Sequence, residues 1–213
     1  MMQERGFYNM IGFYNYTVVL TYIGVILGML GIINTFNGNT VLAITFLMLT
    51  GVCDMFDGKI ARTMKRNKQE KRFGIQIDSL SDFLCFGILP ATIGYSIGMK
   101  QWYFIIILLF YVLAALIRLA YFNVMEEERQ DTTEEDRKMC TGLPVPPSAI
   151  IFPVIFLISK LFDFELAYLY AIVMALVGIL FISKFEIKKL QMKGLLIMIC
   201  IGIVVLSLLI VLK

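Results

Sequence analysis

The stretch DMFDGKIARTMKRNKQEKRFGIQIDSLSD, Asp54 to Asp82, sets four aspartates beside and within segments otherwise made for lipid. Upstream of it lies TVLAITFLMLTGVC and downstream FLCFGILPATIGYSIG, both apolar and both too long and unalternating for strands. A hydrocarbon core of about 30 Å takes about 20 helical residues to cross, so each flank together with part of the stretch makes one spanning helix. The polar, basic middle is then the loop joining them on one side of a membrane.

The rest of the chain agrees. Its 213 residues are 59% hydrophobic and 16% charged, and a mean hydropathy of +0.82 lies outside the range of soluble domains. The apolar runs lack the two-residue alternation of an outer-membrane barrel. The expected fold is therefore all-α, one polytopic transmembrane helix bundle over residues 1–213. About seven spans are expected, with six or eight as alternatives: near 17–33, 41–62, 75–97, 102–124, 148–161, 166–182 and 192–212. Residues 1 to 14 suit an interfacial helix, a disordered tail being the alternative. They show no cleavable leader pattern. The segment EEERQDTTEEDRK after Val124 reads as a solvated connection. Pro144, Pro146 and Pro147 mark re-entry into the bilayer, because proline is tolerated in a first helical turn.

Alternating topology puts Arg5, the basic run Lys65 to Arg72, the cations from Arg129 to Lys138 and those from Lys184 to Lys193 on one side. Lys100, Lys160 and Lys213 are left for the other. The basic side is the cytoplasm by the positive-inside rule, and the expected membrane is the plasma membrane of a prokaryote. A net charge of +3 gives no argument for nucleic acid. Cys53, Cys85, Cys140 and Cys200 form no C-x-x-C pair, and there is no histidine. A zinc site and a disulfide framework are thus not indicated, and proton transfer falls to carboxylate, lysine or tyrosine.

Asp54 and Asp57 fall on the cytoplasmic half of the second helix, Asp78 and Asp82 on the first turns of the third. At 1.5 Å rise per residue all four lie within about 10 Å of the same membrane face. Spacings of three and four put each pair on one side of its helix. Ionised carboxylates at that depth are costly and normally face a bundle interior or a watery cavity. Divalent cations hold such a group together most simply. All-oxygen ligation suits magnesium, manganese or calcium, and four carboxylates can hold two ions, the arrangement used for displacement at phosphorus. As ordinary interfacial acids they would instead pair with Lys59, Arg62 and the basic loop. That role leaves unexplained the small residues Gly58 and Ala61, which make room against the second helix, one turn from an Arg62 placed to meet a phosphate.

The pattern Asp54-x-x-Asp57-Gly58-x-x-Ala61-Arg62, a gap, then Gly74-x-x-x-Asp78-x-x-x-Asp82 resembles the signature of the CDP-alcohol phosphatidyltransferases, integral membrane enzymes that displace CMP from a CDP-linked lipid or alcohol. The gap of eleven residues, TMKRNKQEKRF, is longer than that family usually has and is expected to be a lengthened cytoplasmic loop that leaves the metal site intact. The resemblance implies that Asp54, Asp57, Asp78 and Asp82 hold two divalent cations, Mg2+ or Mn2+. It implies that Asp82 is also the base on the acceptor hydroxyl. Asp57, Gly58, Ala61, Arg62 and Gly74 are implied to line the pocket for the CDP-lipid, and the chain to form a homodimer.

DSLSDFLCFGILPA at 78–91, RLAYFN at 118–123 and GLPVP at 142–146 are similar to the serine-transferring branch of that family. The expected substrates are therefore CDP-diacylglycerol and L-serine, with Arg118 and Asn123 as acceptor-binding residues. Arg118 is the lone charge of its span. Its alternative roles are pairing with an aspartate or reaching the interface; Asn123 in turn could simply satisfy the helix end. Transfer to glycerol 3-phosphate or another polar alcohol is the nearest rival, and would want more cations converging on a second phosphate. A cation-coupled transporter is a rival of another class. It is disfavoured because the acids cluster near one face, with no acidic residue in the other spans for an ion to leave by.

Overall fold

The computed structural model describes residues 12–61, 63–64, 66–132, 139–162, 165–188 and 201–209. After a 3-10 turn at Tyr16–Val18 come α1 (Val19–Phe36), α2 (Thr40–Ala61) and α3 (Lys68–Asp82). A π-helical segment, Phe83–Ile88, leads straight into α4 (Leu89–Ser96). Then follow α5 (Trp102–Thr132), α6 (Ser148–Phe162) and α7 (Leu166–Ile182), with residues 201–209 helical as well. Two three-residue strands, β1 (Met139–Thr141) and β2 (Glu186–Lys188), pair antiparallel. The protein is an all-α membrane bundle with one small ribbon at its edge.

Four helical stretches are long and apolar enough to cross a membrane: Tyr16–Phe36, Thr40–Ile60, Lys68–Ser96 and Trp102–Arg129. Helices α6 and α7, with 15 and 17 residues, are about 22 and 25 Å long and fall short of a full hydrocarbon thickness. Of the expected interfacial helix only the end is described, and Gly12 to Asn15 is not helical. Most of the expected last span also lies outside the described residues.

Two expectations about the loops are corrected. Six of the eleven residues between Arg62 and Gly74 belong to α3, whose start is fixed by a capping box. Asn67 Oδ1 accepts from the Glu70 amide at 2.8 Å, and Glu70 Oε2 accepts from the Asn67 amide at 2.8 Å. The acidic segment after Val124 is likewise helical as far as Thr132. The two extensions support each other beyond the apolar core. Glu127 accepts from Gln76 at 3.1 Å and pairs with Arg72 at 3.8 Å, while Glu126 and Arg129 pair one turn apart at 2.6 Å.

The π segment widens the helix by one residue, and Pro90 then deprives the carbonyl of Phe86 of its ordinary donor four residues on. In a dry core that oxygen needs a partner, and the hydroxyl of buried Tyr111 donates to it at 2.6 Å. Tyr170 donates to the carbonyl of Pro90 at 3.0 Å. The two tyrosines flank Phe152, stacked on Tyr170 at 4.8 Å and edge-on to Tyr111 at 5.5 Å. This is the centre of the core, and it ties α4, α5, α6 and α7 around the kink.

Small residues let the backbones approach. A Cβ added at Gly28 of α1 would lie 2.9 Å from Cys85 Sγ, and one at Gly51 of α2 only 2.6 Å from the Cβ of Ala149 on α6. Gly51→Val drives two helices apart and is expected to destabilise by about 1–3 kcal/mol or more. Thermal unfolding in detergent should show a lowered midpoint; an unchanged midpoint would mean that α2 and α6 are not packed this closely.

Candidate active site

Asp54 and Asp57 project from the last two turns of α2, and Asp78 and Asp82 from the last two turns of α3, just before the π segment. Carboxylate oxygens of Asp54, Asp78 and Asp82 all lie within 4.8 Å of one another. Asp57 stands outside that set, with its carboxyl against that of Asp78. The floor of the site is built from small polar groups and thiols: Thr21 and Gly24 of α1, Thr50 and Cys53 of α2, Ser81 and Cys85. Ser81 and Cys85 close it by donating to the carbonyls of Thr21 and Gly24, at 3.5 and 3.4 Å. These thiols are buried and free.

The residues fit a hard divalent cation. Ligand oxygens at about 2.0–2.6 Å from an ion are separated by at most about twice that distance, so three oxygens inside 4.8 Å can share one centre. The donors are all carboxylate, which suits magnesium, manganese or calcium over zinc. No described lysine or arginine forms an ion pair within 4.0 Å of Asp54, Asp57, Asp78 or Asp82. Lys59 lies over the ring of Phe56 at 5.1 Å.

Gly58 faces open space, and a Cβ built there meets nothing within 4 Å. Room therefore exists beside the acids where the sequence suggested it. Gly74 is different: a Cβ there would lie 2.9 Å from a guanidinium nitrogen of Arg66. Arg62 and the side chain of Ala61, both expected at the pocket, lie outside the described residues.

Asn123 is engaged by α3. Its Oδ1 accepts from Ser79 at 2.5 Å, and its amide donates to Gln76 at 3.1 Å. These bonds hold α5 against the back of the helix that carries Asp78 and Asp82. Arg118 is buried, 6% exposed, and donates from Nε to the carbonyl of Leu143 at 3.1 Å. Since Asn123 meets Ser79 and Tyr111 meets Phe86, Arg118 between them stands on α5 at about the level of Asp82, its side chain turned to Leu143. The turn it grips is fixed from the other side. Gly142, at φ 71°, donates to Phe185 at 2.7 Å, and Leu143 donates at 3.2 Å to Leu180, a carbonyl left open at the end of α7. A side chain at Gly142 would strike the carbonyl of Ser183 at 2.9 Å. Arg118, the Gly142–Pro144 turn and the ribbon thus form one unit.

The match to the CDP-alcohol phosphatidyltransferase family runs over residues 14–212, almost the whole chain and all of the helices that carry the aspartates. The chain belongs to that family. It is also similar to the CDP-diacylglycerol--serine O-phosphatidyltransferase of Saccharomyces cerevisiae, 36% identical over 54% of this chain and 42% of that protein. The Helicobacter pylori protein of the same name is 26% identical over 80% of this chain and 70% of its own length. The archaetidylserine synthase of Methanothermobacter thermautotrophicus is 30% identical over 78% and 66%. The alignment thus spans less than half of the yeast relative. The names of these three relatives accord with the serine-branch likeness read from 78–91, 118–123 and 142–146.

Sequence reasoning missed three features of this member of the family. Gln76 and Ser79 tie α3 to Asn123, and their three-residue spacing was the available signal. The Asn-x-x-Glu signature at 67–70 announces the start of α3. Arg66 stood in a basic run without any mark of its own.

Proposed function

We propose that the protein transfers the phosphatidyl group of CDP-diacylglycerol to the hydroxyl of L-serine, giving phosphatidylserine and CMP. The observation that carries this reading is the convergence of Asp54, Asp78 and Asp82 within 4.8 Å, in a chain of this family, from two neighbouring membrane-length helical stretches. The names of the relatives supply the acceptor.

Asp54, Asp57, Asp78 and Asp82 would hold two divalent cations, Mg2+ or Mn2+, which when bound would supply the charge to neutralise the diphosphate and the departing CMP. Asp82 takes the proton of the serine hydroxyl as its oxygen bonds to the lipid-linked phosphorus and the phosphorus–oxygen bond to CMP breaks. Asp57, Gly58, Ala61, Arg62 and Gly74 line the CDP pocket, with Gly58 leaving the open side on which the nucleotide lies. Recognition of serine is assigned to Arg118, whose guanidinium suits a carboxylate, with Asn123 one and a half turns on. Support for this comes from the level of Arg118 along α5, about that of Asp82, and its grip on the Gly142–Pro144 turn. The distribution of lysine and arginine favours a cytoplasm-facing site in the plasma membrane of a prokaryote, and the family likeness favours a homodimer.

Purified protein supplied with CDP-diacylglycerol and Mn2+ or Mg2+ is expected to release CMP when L-serine is added. A panel of serine, glycerol 3-phosphate and inositol tests the acceptor. Release with glycerol 3-phosphate and none with serine would overturn the assignment.

A further inference from the structure

Arg66 immediately precedes Asn67, whose capping box fixes the chain at the start of α3. From that anchor its side chain runs along the first turns of the helix to Gly74, eight residues on, where the missing side chain leaves a slot. A nitrogen of the guanidinium lies 2.9 Å from the place a Cβ would take, and Gly74 is one turn before Asp78 on the same side of α3. Four other described cations near this edge are engaged elsewhere: Arg72 with Glu127, Arg129 with Glu126, Lys59 over the Phe56 ring and Arg118 with Leu143.

With a cation held by Asp78, the guanidinium at Gly74 would stand at the rim of the site, where the anion that would accompany the metal is the substrate's diphosphate. We propose that Arg66 is a substrate-binding residue, its guanidinium reaching through the Gly74 slot to hold the diphosphate of the nucleotide headgroup. The identity of that anion rests on the function proposed above. Planar, two-pronged donation suits phosphate oxygens. The longer connection between Arg62 and Gly74 thereby acquires a use: its helical part and cap deliver a second arginine to the pocket.

The test is calorimetric titration of CDP, in the presence of Mn2+, into the full-length protein in detergent. Arg66→Gln is expected to weaken CDP binding about tenfold or more, the loss of a hydrogen bond to a charged group, while Mn2+ alone binds at least as tightly as to wild type. Arg66→Lys should recover part of the loss, and Gly74→Ala, which pushes the guanidinium out of its slot, should reproduce it. Arg72→Gln removes the same charge from the outer face of α3 and should leave CDP binding within about twofold, as expected of an exposed ion pair. CDP binding by Arg66→Gln equal to wild type, or an equal loss in Arg72→Gln, would overturn the proposal. A wild-type protein that binds CDP through Arg66 but releases no CMP with serine would sink the acceptor assignment and leave this one standing.

Discussion

Asp82→Asn is expected to lower the rate of CMP release by about 10²–10⁴-fold, the range for loss of a positioned general base. Asparagine has the shape of aspartate and still offers one oxygen to a cation, but it cannot take up the serine proton. Binding of CDP with Mn2+ should therefore survive, and calorimetry beside the rate assay separates the two. The choice of residue follows from placement. Asp82 is the last residue of α3 and lines the same floor as Thr21, Ser81 and Cys85, and it lies level with Arg118, the group assigned to the acceptor. Near wild-type turnover in Asp82→Asn would show that the proton leaves by another group.

The second large effect is expected from Gly58→Val. Nothing lies within 4 Å of the added Cβ, and valine is a better helix residue than glycine. The thermal midpoint should thus hold or rise slightly. The branched side chain would, however, fill the open face beside Asp54 and Asp57. Displacing the substrate by about 1 Å suffices for a loss of about a hundredfold in turnover. Retained activity in a stable Gly58→Val protein would place the nucleotide elsewhere. Gly51→Val should behave oppositely, because Gly51 packs against Ala149 of a neighbouring helix whereas Gly58 faces open space.

Much of this was legible in the chain. Length and hydropathy announce the spans, because a bilayer asks little more of a helix than twenty apolar residues. The acid site was legible because charge at that depth is expensive and three- and four-residue spacings force each pair onto one face. What escaped has a common cause. The extension of α3 and α5 past the apolar core depends on pairing between Arg72, Gln76 and Glu127, residues far apart in sequence and individually ordinary. Polarity alone made those segments look like loops. Arg118 was singled out for its charge, but its contact with Leu143 depends on how the turn at Gly142 folds back. Asn123 was placed at the acceptor by likeness, and its bonds to Ser79 and Gln76 require knowing which side of α3 meets α5.

The π segment at Phe83–Ile88 gives the acid site an unusual dependence on counting. One extra residue in a helix shifts everything beyond it by about 100° of phase. Asp78 and Asp82 stand on one side of that step; the packing surface of α4, anchored by Tyr111 and Tyr170, stands on the other. The direction in which the two acids point is thus set by an integer, the number of residues between Asp82 and Pro90, as well as by what those residues are. A substitution within 83–88 leaves the integer alone, whereas removing one residue would turn the aspartates away from Asp54 with every side chain of the site intact. The length of the segment thus acts on the site separately from the side chains it contributes, such as Cys85 in the floor.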